Sequence, residues 1–233
     1  GKTYTLSDMS ARSLSVLRRR HDIACVLVNP LQALHPNKPA PGDSALVDSG
    51  RSAGFDRQAY TKWLKQLRDV CTQKGIVLIM DEVFVGFRLA RGGAQEYFGV
   101  KADIVTYGKA LGGGLPMAMI GGRAEVMAGL EWGKVLHFGT HNAGRLALHV
   151  TKVMLETMLA DNQSGFRRIK NLGKAMADEV RKVAKHSNQH KIVVQGVNSM
   201  FQIFFTDLDA VTDYRDFCGH VDRAKFRDFA LRL

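Results

Sequence analysis

The sequence predicts an α/β protein built around a mostly parallel sheet. Three observations carry that expectation: short apolar runs at 23–28, 76–80 and 103–107 (IACVLV, IVLIM, DIVTY), an amphipathic helical stretch between the first two, and a change to long helical patterning from about residue 143. Strand, helix, strand in that order is the crossover unit of a parallel sheet. Taken in order, SARSLSVLRRR at 10–20 reads as an amphipathic helix with Ser7, Asp8 and Ser10 as cap candidates. IACVLV is continuous and β-branched, as expected of a strand buried on both faces. Pro30 to Gly54 carries four of the five prolines and reads as a long functional loop. DRQAYTKWLKQLRDVCTQK at 56–74 puts Tyr60, Trp63, Leu64, Leu67, Val70 and Cys71 at helical spacing, and Gly75 supplies the stop. RLALHVTKVMLETMLAD and FRRIKNLGKAMADEVRKVAKH fill 143–186 with helix; IVVQG at 192–196 and MFQIFFT at 200–206 read as strands, and FRDFALRL at 226–233 as a final helix.

At 233 residues and 45% hydrophobic composition the chain can form a real core. No stretch approaches the roughly 18 uninterrupted apolar residues of a membrane span, and residues 1–20 lack the apolar block of a signal peptide. A cytoplasmic protein without a membrane partner is the expectation. Cys25, Cys71 and Cys218 are odd in number and far apart, which predicts reduced, buried thiols rather than a disulfide framework or a zinc site. The formal charge of +11 invites a nucleic-acid reading, but the basic residues are scattered, with no aromatic interleaving and no reader motif. They read as a solvated surface that draws in anionic substrates.

Chemistry concentrates in two segments, IVLIMDEVFVGFR at 76–88 and DIVTYGKALGGGLPMAMIGG at 103–122. Each places one ionisable residue, Asp81 or Lys109, at the end of an apolar run, where open α/β sheets present ligand-binding groups. A carboxylate and an amine held this way suit pyridoxal 5'-phosphate, whose pyridinium needs a counter-ion and whose aldehyde takes a lysine in a Schiff base. At 4 Å such a carboxylate attracts the ring cation by about 4 kcal/mol at an effective dielectric of 20. Gly112, Gly113 and Gly114 let backbone come close to a bulky ligand, and Val83, two residues beyond Asp81, is a candidate for packing on the ring. Each segment alone has a plainer explanation, a surface lysine beside glycines or a turn entry after a strand. A phosphate-binding P-loop does not fit, because Lys109 precedes its glycines and Ala110 follows it.

The run LIMDEVFVGFR, followed 28 residues after Asp81 (109 − 81) by the lysine of DIVTYGKALGGGLP, resembles the class III aminotransferases. Within them it is most similar to the glutamate-1-semialdehyde aminomutase-like branch, including aminotransferase domains of polyketide and peptide synthases. VLVNPLQ at 26–32, FGTHNAGRLAL at 138–148 and NSMFQIFFTD at 198–207 resemble further family segments. The resemblance implies the aspartate-aminotransferase-like fold (PLP fold type I), with residues 1–150 as a partial cofactor-binding large domain and 151–233 as a connecting helix and partial small domain. It implies that Lys109 is the Schiff-base lysine, Asp81 the pyridinium partner, Val83 the ring-packing residue and Thr140 a donor to the cofactor phosphate of the other subunit of a homodimer with a shared active site. Capping of the helix near 143 is an equal reading for Thr140. The implied reaction moves an amino group between an amino donor and a carbonyl acceptor; an aminomutase and a non-catalytic truncated domain are the alternatives.

The sequence departs from the family at several points. Asn29 replaces the glutamate of the V-E-P segment, Ala143, Gly144 and Arg145 replace G-N-P, and Phe84 stands where some relatives have a glutamine reaching the ring hydroxyl. The opening at Gly1 reads as the middle of a domain, and the family's glycine-rich phosphate loop, its ring-stacking aromatic and the end of its small domain have no counterpart. His137 and His141, His35, and Met117, Met119 and Met127 read as loop or surface histidines and core filler rather than as ligands.

Overall fold

The structure is a computed structural model, and it describes residues 2–6, 11–30, 57–130, 134–187, 190–197, 199–211 and 214–233. The long proline-rich loop, with His35, lies outside the described residues apart from its first residue, Pro30. The chain divides into two compact units. One contains Leu17–Pro30 and Leu64–Arg167; the other contains Arg168–Leu233 with the described parts of 1–16 and 31–63.

In the first unit a four-stranded sheet runs in the order β1 (Cys25–Val28), β2 (Val77–Asp81), β3 (Ile104–Tyr107), β4 (Met119–Gly122). The first three strands are parallel, with Val28 opposite Met80 and Asp81 opposite Thr106. β4 returns antiparallel to β3, pairing Tyr107 with Met119 and Ile104 with Gly122. Between β1 and β2 the chain forms α2 (Arg57–Lys74), preceded in sequence by α1 (Ala11–Arg19). α2 buries Leu64, Leu67, Val70 and Cys71, the apolar positions its spacing predicted, and Gly75 ends it at φ +66°, a conformation glycine adopts without a Cβ penalty. β2 alternates as a strand must: Leu78 and Met80 are fully buried on one face, and Asp81 shares the other face with Val77 and Ile79.

The start of β3 is fastened by Asp103. One of its oxygens, Oδ2, accepts from the backbone N–H of Leu78 and from Arg68 Nη1 of α2, both at 2.7 Å; Oδ1 accepts from Arg123 Nη1 at 2.9 Å, just beyond β4. Helix, central strand and edge strand thus meet on one carboxylate. Burial pushes Asp103 toward the neutral form, but the Leu78 N–H and the two guanidiniums outweigh it, and its pKa lies below the usual carboxylate range.

α5 (Arg145–His186) is helical but for Ala160, Asp161, Asn162 and Gln163, where Ala160 is extended and the next three residues take positive φ. In the second unit β5 (Ile192–Val197) and β6 (Met200–Phe205) form an antiparallel hairpin, followed by α6 (Tyr214–His220) and α7 (Arg223–Ala230). Val193, Phe204 and Val211 form its buried centre, with Phe217 and Val221 packed against them. The buried Gln195 side chain clamps Val211 by accepting from its N–H at 2.6 Å and donating to its carbonyl at 2.9 Å. Asp222 caps α7 by accepting from Lys225 N–H at 3.0 Å.

Several expectations are corrected. β1 is not buried on both faces: Leu27 is 65% exposed and Cys25 is exposed, while Val28 is buried. Only Cys71 of the three thiols is buried, and burial pushes its pKa up to about 11. Met119 is exposed, being on the edge strand rather than in the core. The final helix begins at Arg223 rather than at 226, and β4, α3 (Gly93–Phe98), α4 (Ala124–Met127) and α6 were not anticipated. Among the described residues no helix is long and apolar enough to cross a membrane.

Candidate functional site

The ends of β2 and β3 build the site. Asp81 is the last residue of β2 and is paired with Thr106 of β3; Gly108 and Lys109 follow two and three residues beyond Thr106. The parallel register therefore brings Asp81 and Lys109 to the same, C-terminal edge of neighbouring strands, the edge at which open α/β sheets bind ligands. Asn29 follows Val28, the partner of Met80, so it stands at the same edge on β1.

Asp81 Oδ1 accepts two hydrogen bonds, from the backbone N–H of Val83 at 3.0 Å and from Thr106 Oγ1 at 3.3 Å. Its Oδ2 accepts none among the described residues, and the side chain is half-buried. The Val83 bond is an Asx-type turn that takes the chain out of the strand and into the turns of 83–88. Val83 is held beside Gly108: a Cβ on that glycine would lie 3.2 Å from Val83 Cγ1. Lys109 opens a single 3-10 turn, Lys109–Gly112, with φ of 46°. A non-glycine residue in that region costs about 1 kcal/mol, and here the buried Leu111 and the left-handed Gly113 anchor the turn that imposes it. Lys109 Nζ lies 5.8 Å from the centroid of the Phe84 ring, which also carries the Arg88 guanidinium at 5.2 Å.

Behind these groups stands a buried support. Glu82 is 0% exposed; its carboxylate accepts from the N–H of Ala94 at 2.6 Å and of Gln95 at 3.2 Å, at the start of α3. Gly93 leaves room for it, since a Cβ there would collide with Glu82 Oε2. Burial raises the Glu82 pKa, opposed by the two backbone N–H groups. Gln95 in turn donates to Tyr107 Oη at 3.3 Å and accepts from Ala102 N–H at 2.9 Å. Burial, then the nearby Glu82, raises the Tyr107 pKa. Phe87 packs on the Tyr107 ring at 5.1 Å between centroids, and Gly86 admits that ring, because a Cβ there would come within 2.5 Å of Tyr107 Cδ1.

The structure thus gathers Asp81, Val83 and Lys109. Thr140 lies apart in sequence, in the exposed turn before α5, and Gly144 rather than Thr140 immediately precedes the helix, its carbonyl accepting from Leu148 N–H at 3.0 Å. His137 and His141 are exposed, and among the described residues no group of three His, Cys, Asp or Glu side chains is placed to hold a metal. Sequence reasoning overlooked Glu82, Gln95 and Thr106. Only Thr106 left a signal, a hydroxyl in the otherwise apolar run before Gly108.

A mostly parallel sheet with a carboxylate and a lysine at adjacent strand ends places the chain among α/β folds that bind ligands at that edge, and comparison with known proteins narrows the class. The aminotransferase class-III family profile matches residues 14–222, and the chain belongs to that family. It is 35% identical over 206 residues to a glutamate-1-semialdehyde 2,1-aminomutase of Alkaliphilus oremlandii, covering 88% of this chain and 42% of the relative. It is 32% identical over 229 residues to the aminomutase of that name from Methanocaldococcus jannaschii, covering 97% and 48%. Among solved structures, an omega-transaminase from Sphaerobacter thermophilus superposes with a TM-score of 0.65 at 27% identity, covering 88% of this chain and 42% of the other. A β-phenylalanine aminotransferase from Variovorax paradoxus, at 24% identity, TM-score 0.68 and coverage of 97% and 47%, shares the fold. The chain spans less than half the length of these relatives.

Proposed function

We propose that this chain carries the cofactor-binding core of a pyridoxal 5'-phosphate-dependent aminotransferase, transferring an amino group between a small-molecule amino donor and a carbonyl acceptor. The observation that carries the reading is the Asp81 carboxylate, with Oδ1 saturated and Oδ2 open, one strand away from Lys109. These residues fit the cofactor's pyridine end. Asp81 would hold the protonated ring nitrogen through Oδ2, Val83 would pack on the ring from its place against Gly108, and Lys109 would hold the aldehyde carbon covalently. When bound, the cofactor supplies the electron sink that acidifies the substrate Cα–H. The chain's own contribution is then positional and acid–base. Asp81 keeps the ring nitrogen charged, and Lys109 Nζ moves a proton to and from the substrate Cα. Phe84 offers an aromatic face to the Lys109 ammonium where a glutamine would offer an amide.

A homodimer with a shared site is part of the proposal, with Thr140 donating to the phosphate held by the partner subunit. It is supported by the exposure of Thr140 and of the neighbouring apolar Val135, Leu136 and Phe138, 52%, 70% and 77% exposed. The division into a partial large domain over 1–150 and a connecting helix with a partial small domain over 151–233 is likewise proposed. Cytoplasmic residence is supported by the free, exposed Cys25 and Cys218, which suit a reducing compartment. The reading includes no nucleic-acid or membrane partner.

The test is to add pyridoxal 5'-phosphate to the full-length protein, look for a visible absorption band, reduce with borohydride and map the modified peptide. A band fixed onto Lys109 is expected; its absence, or its fixation elsewhere, overturns the reading. A second reading, an aminomutase that shifts the amino group within one molecule, is favoured by the names of the relatives at 32–35% identity. Product analysis with and without a keto acid separates them, since only the transaminase turns over in proportion to the acceptor.

A further inference from the structure

We propose that Thr106 is the positioning residue that sets the orientation of the Asp81 carboxylate, an inference that rests on Asp81 being the pyridinium partner. A strand-end aspartate held only by its own turn is free to swing about Cβ–Cγ. The Val83 N–H fixes one oxygen in place but not the plane of the group. Thr106 Oγ1 supplies the second donor to that same oxygen, and it comes from a different direction, the neighbouring strand. Two donors on Oδ1 define the carboxylate plane and leave Oδ2 as the oxygen that meets a ring N–H.

Three features make Thr106 suited to this. Asp81 and Thr106 are directly paired in the parallel register, so their side chains stand on one face of the sheet. The Thr106 carbonyl accepts from the Glu82 N–H at 2.9 Å, which closes the two strands at that point and anchors the residue that bears the hydroxyl. Threonine is β-branched, so its hydroxyl direction is restricted by the backbone rather than found by a free rotor. Because Lys109 follows three residues later, the strand end that aims the carboxylate also places the amine.

The alternative is a strand threonine whose hydroxyl takes the nearest acceptor without consequence. The full-length holoprotein distinguishes the two through Thr106→Val, which keeps the shape and removes the donor, and Thr106→Ser, which keeps the donor. Two readouts are the cofactor release rate and the 15N shift of ring-labelled pyridoxal 5'-phosphate across a pH series. Thr106→Val is expected to release the cofactor roughly five- to tenfold faster, the scale of one ordinary hydrogen bond, as suits a contact of 3.3 Å, and its ring nitrogen to lose its proton at lower pH. Thr106→Ser is expected to stay within about twofold of the unsubstituted protein. If the valine variant does not fold, Thr106→Ala carries the same expectation. Unchanged release and an unchanged nitrogen profile in the valine or alanine variant overturn the proposal, as does a serine variant that behaves like valine. If the unsubstituted protein binds no cofactor, the functional reading itself fails and this inference falls with it; normal binding with an indifferent valine variant removes only the inference.

Discussion

Two aspartates of one sheet do opposite work. Asp103, at the start of β3, has both oxygens engaged by Leu78, Arg68 and Arg123 and is 3% exposed. Asp81, at the end of β2, has one oxygen engaged and one open. A buried carboxylate with both oxygens engaged serves to hold the fold, whereas a half-satisfied one at the ligand-binding edge can take a donor from outside. Sequence position alone does not separate the two, since each flanks an apolar run; their neighbours do.

The sharpest way to break the comparison is to neutralise each in turn. On the proposed reading Asp81→Asn removes the charge that would face the ring nitrogen, and an attraction of about 4 kcal/mol at an effective dielectric of 20 converts to roughly a thousandfold loss of turnover in the full-length protein, with the unfolding midpoint nearly unchanged. Asp103→Asn leaves two guanidiniums facing a neutral amide and is expected to cost about 3 kcal/mol in urea unfolding, with the cofactor band intact in whatever folds. A variant of Asp103 with normal stability but a lost band would reverse the assignment of roles.

The second test uses pH. Because the folded pKa of Asp103 is depressed, its contribution to stability is present above the unfolded aspartate pKa, near 4, and drains away as pH falls through the lower folded value. Glu82 has the opposite sign. Its raised folded pKa means the folded chain binds more protons between the unfolded glutamate pKa and the folded one, so its contribution weakens as pH rises through that window. Unfolding free energy measured against pH should fall less steeply on the acid side in Asp103→Asn than in the unsubstituted protein.

Smaller effects probe the support of the site. Gly86→Ala puts a methyl within 2.5 Å of Tyr107 Cδ1 and 2.7 Å of the Glu82 carbonyl, and an overpacking cost of about 2 kcal/mol is expected in thermal melts. Smallest is the thiol contrast: maleimide should label Cys25 and Cys218 in the native protein and reach Cys71, buried and with its pKa pushed up to about 11, only on unfolding.

The strand ends that carry Asp81 and Lys109 were legible because an apolar run followed by a charge is a local pattern. Glu82 was not, because its partners are backbone N–H groups at 94 and 95, joined to it only through tertiary structure. β4 escaped because Met119-Ile120-Gly121-Gly122 is half glycine, and its pairing with β3 overrides the weak strand preference of that residue. The open face of β1 could not be read from IACVLV, since a continuous apolar run does not say how many of its faces are covered. The interruption of α5 falls at Asp161 and Asn162, which tolerate the left-handed conformation, close to the junction of the two helical stretches that the sequence separates, 145–161 and 166–186.

The antiparallel return of β4 has one more consequence. Since Tyr107 is paired with Met119, Lys109 belongs to a closed loop of eleven residues, 108 to 118, whose two ends are tied to each other. An amine on so short a tether samples a small volume, so its concentration around the Asp81 edge is high before any ligand arrives. Loosening that knot, by weakening the Tyr107 to Met119 closure rather than by touching the lysine, would dilute the amine at that edge without changing its chemistry.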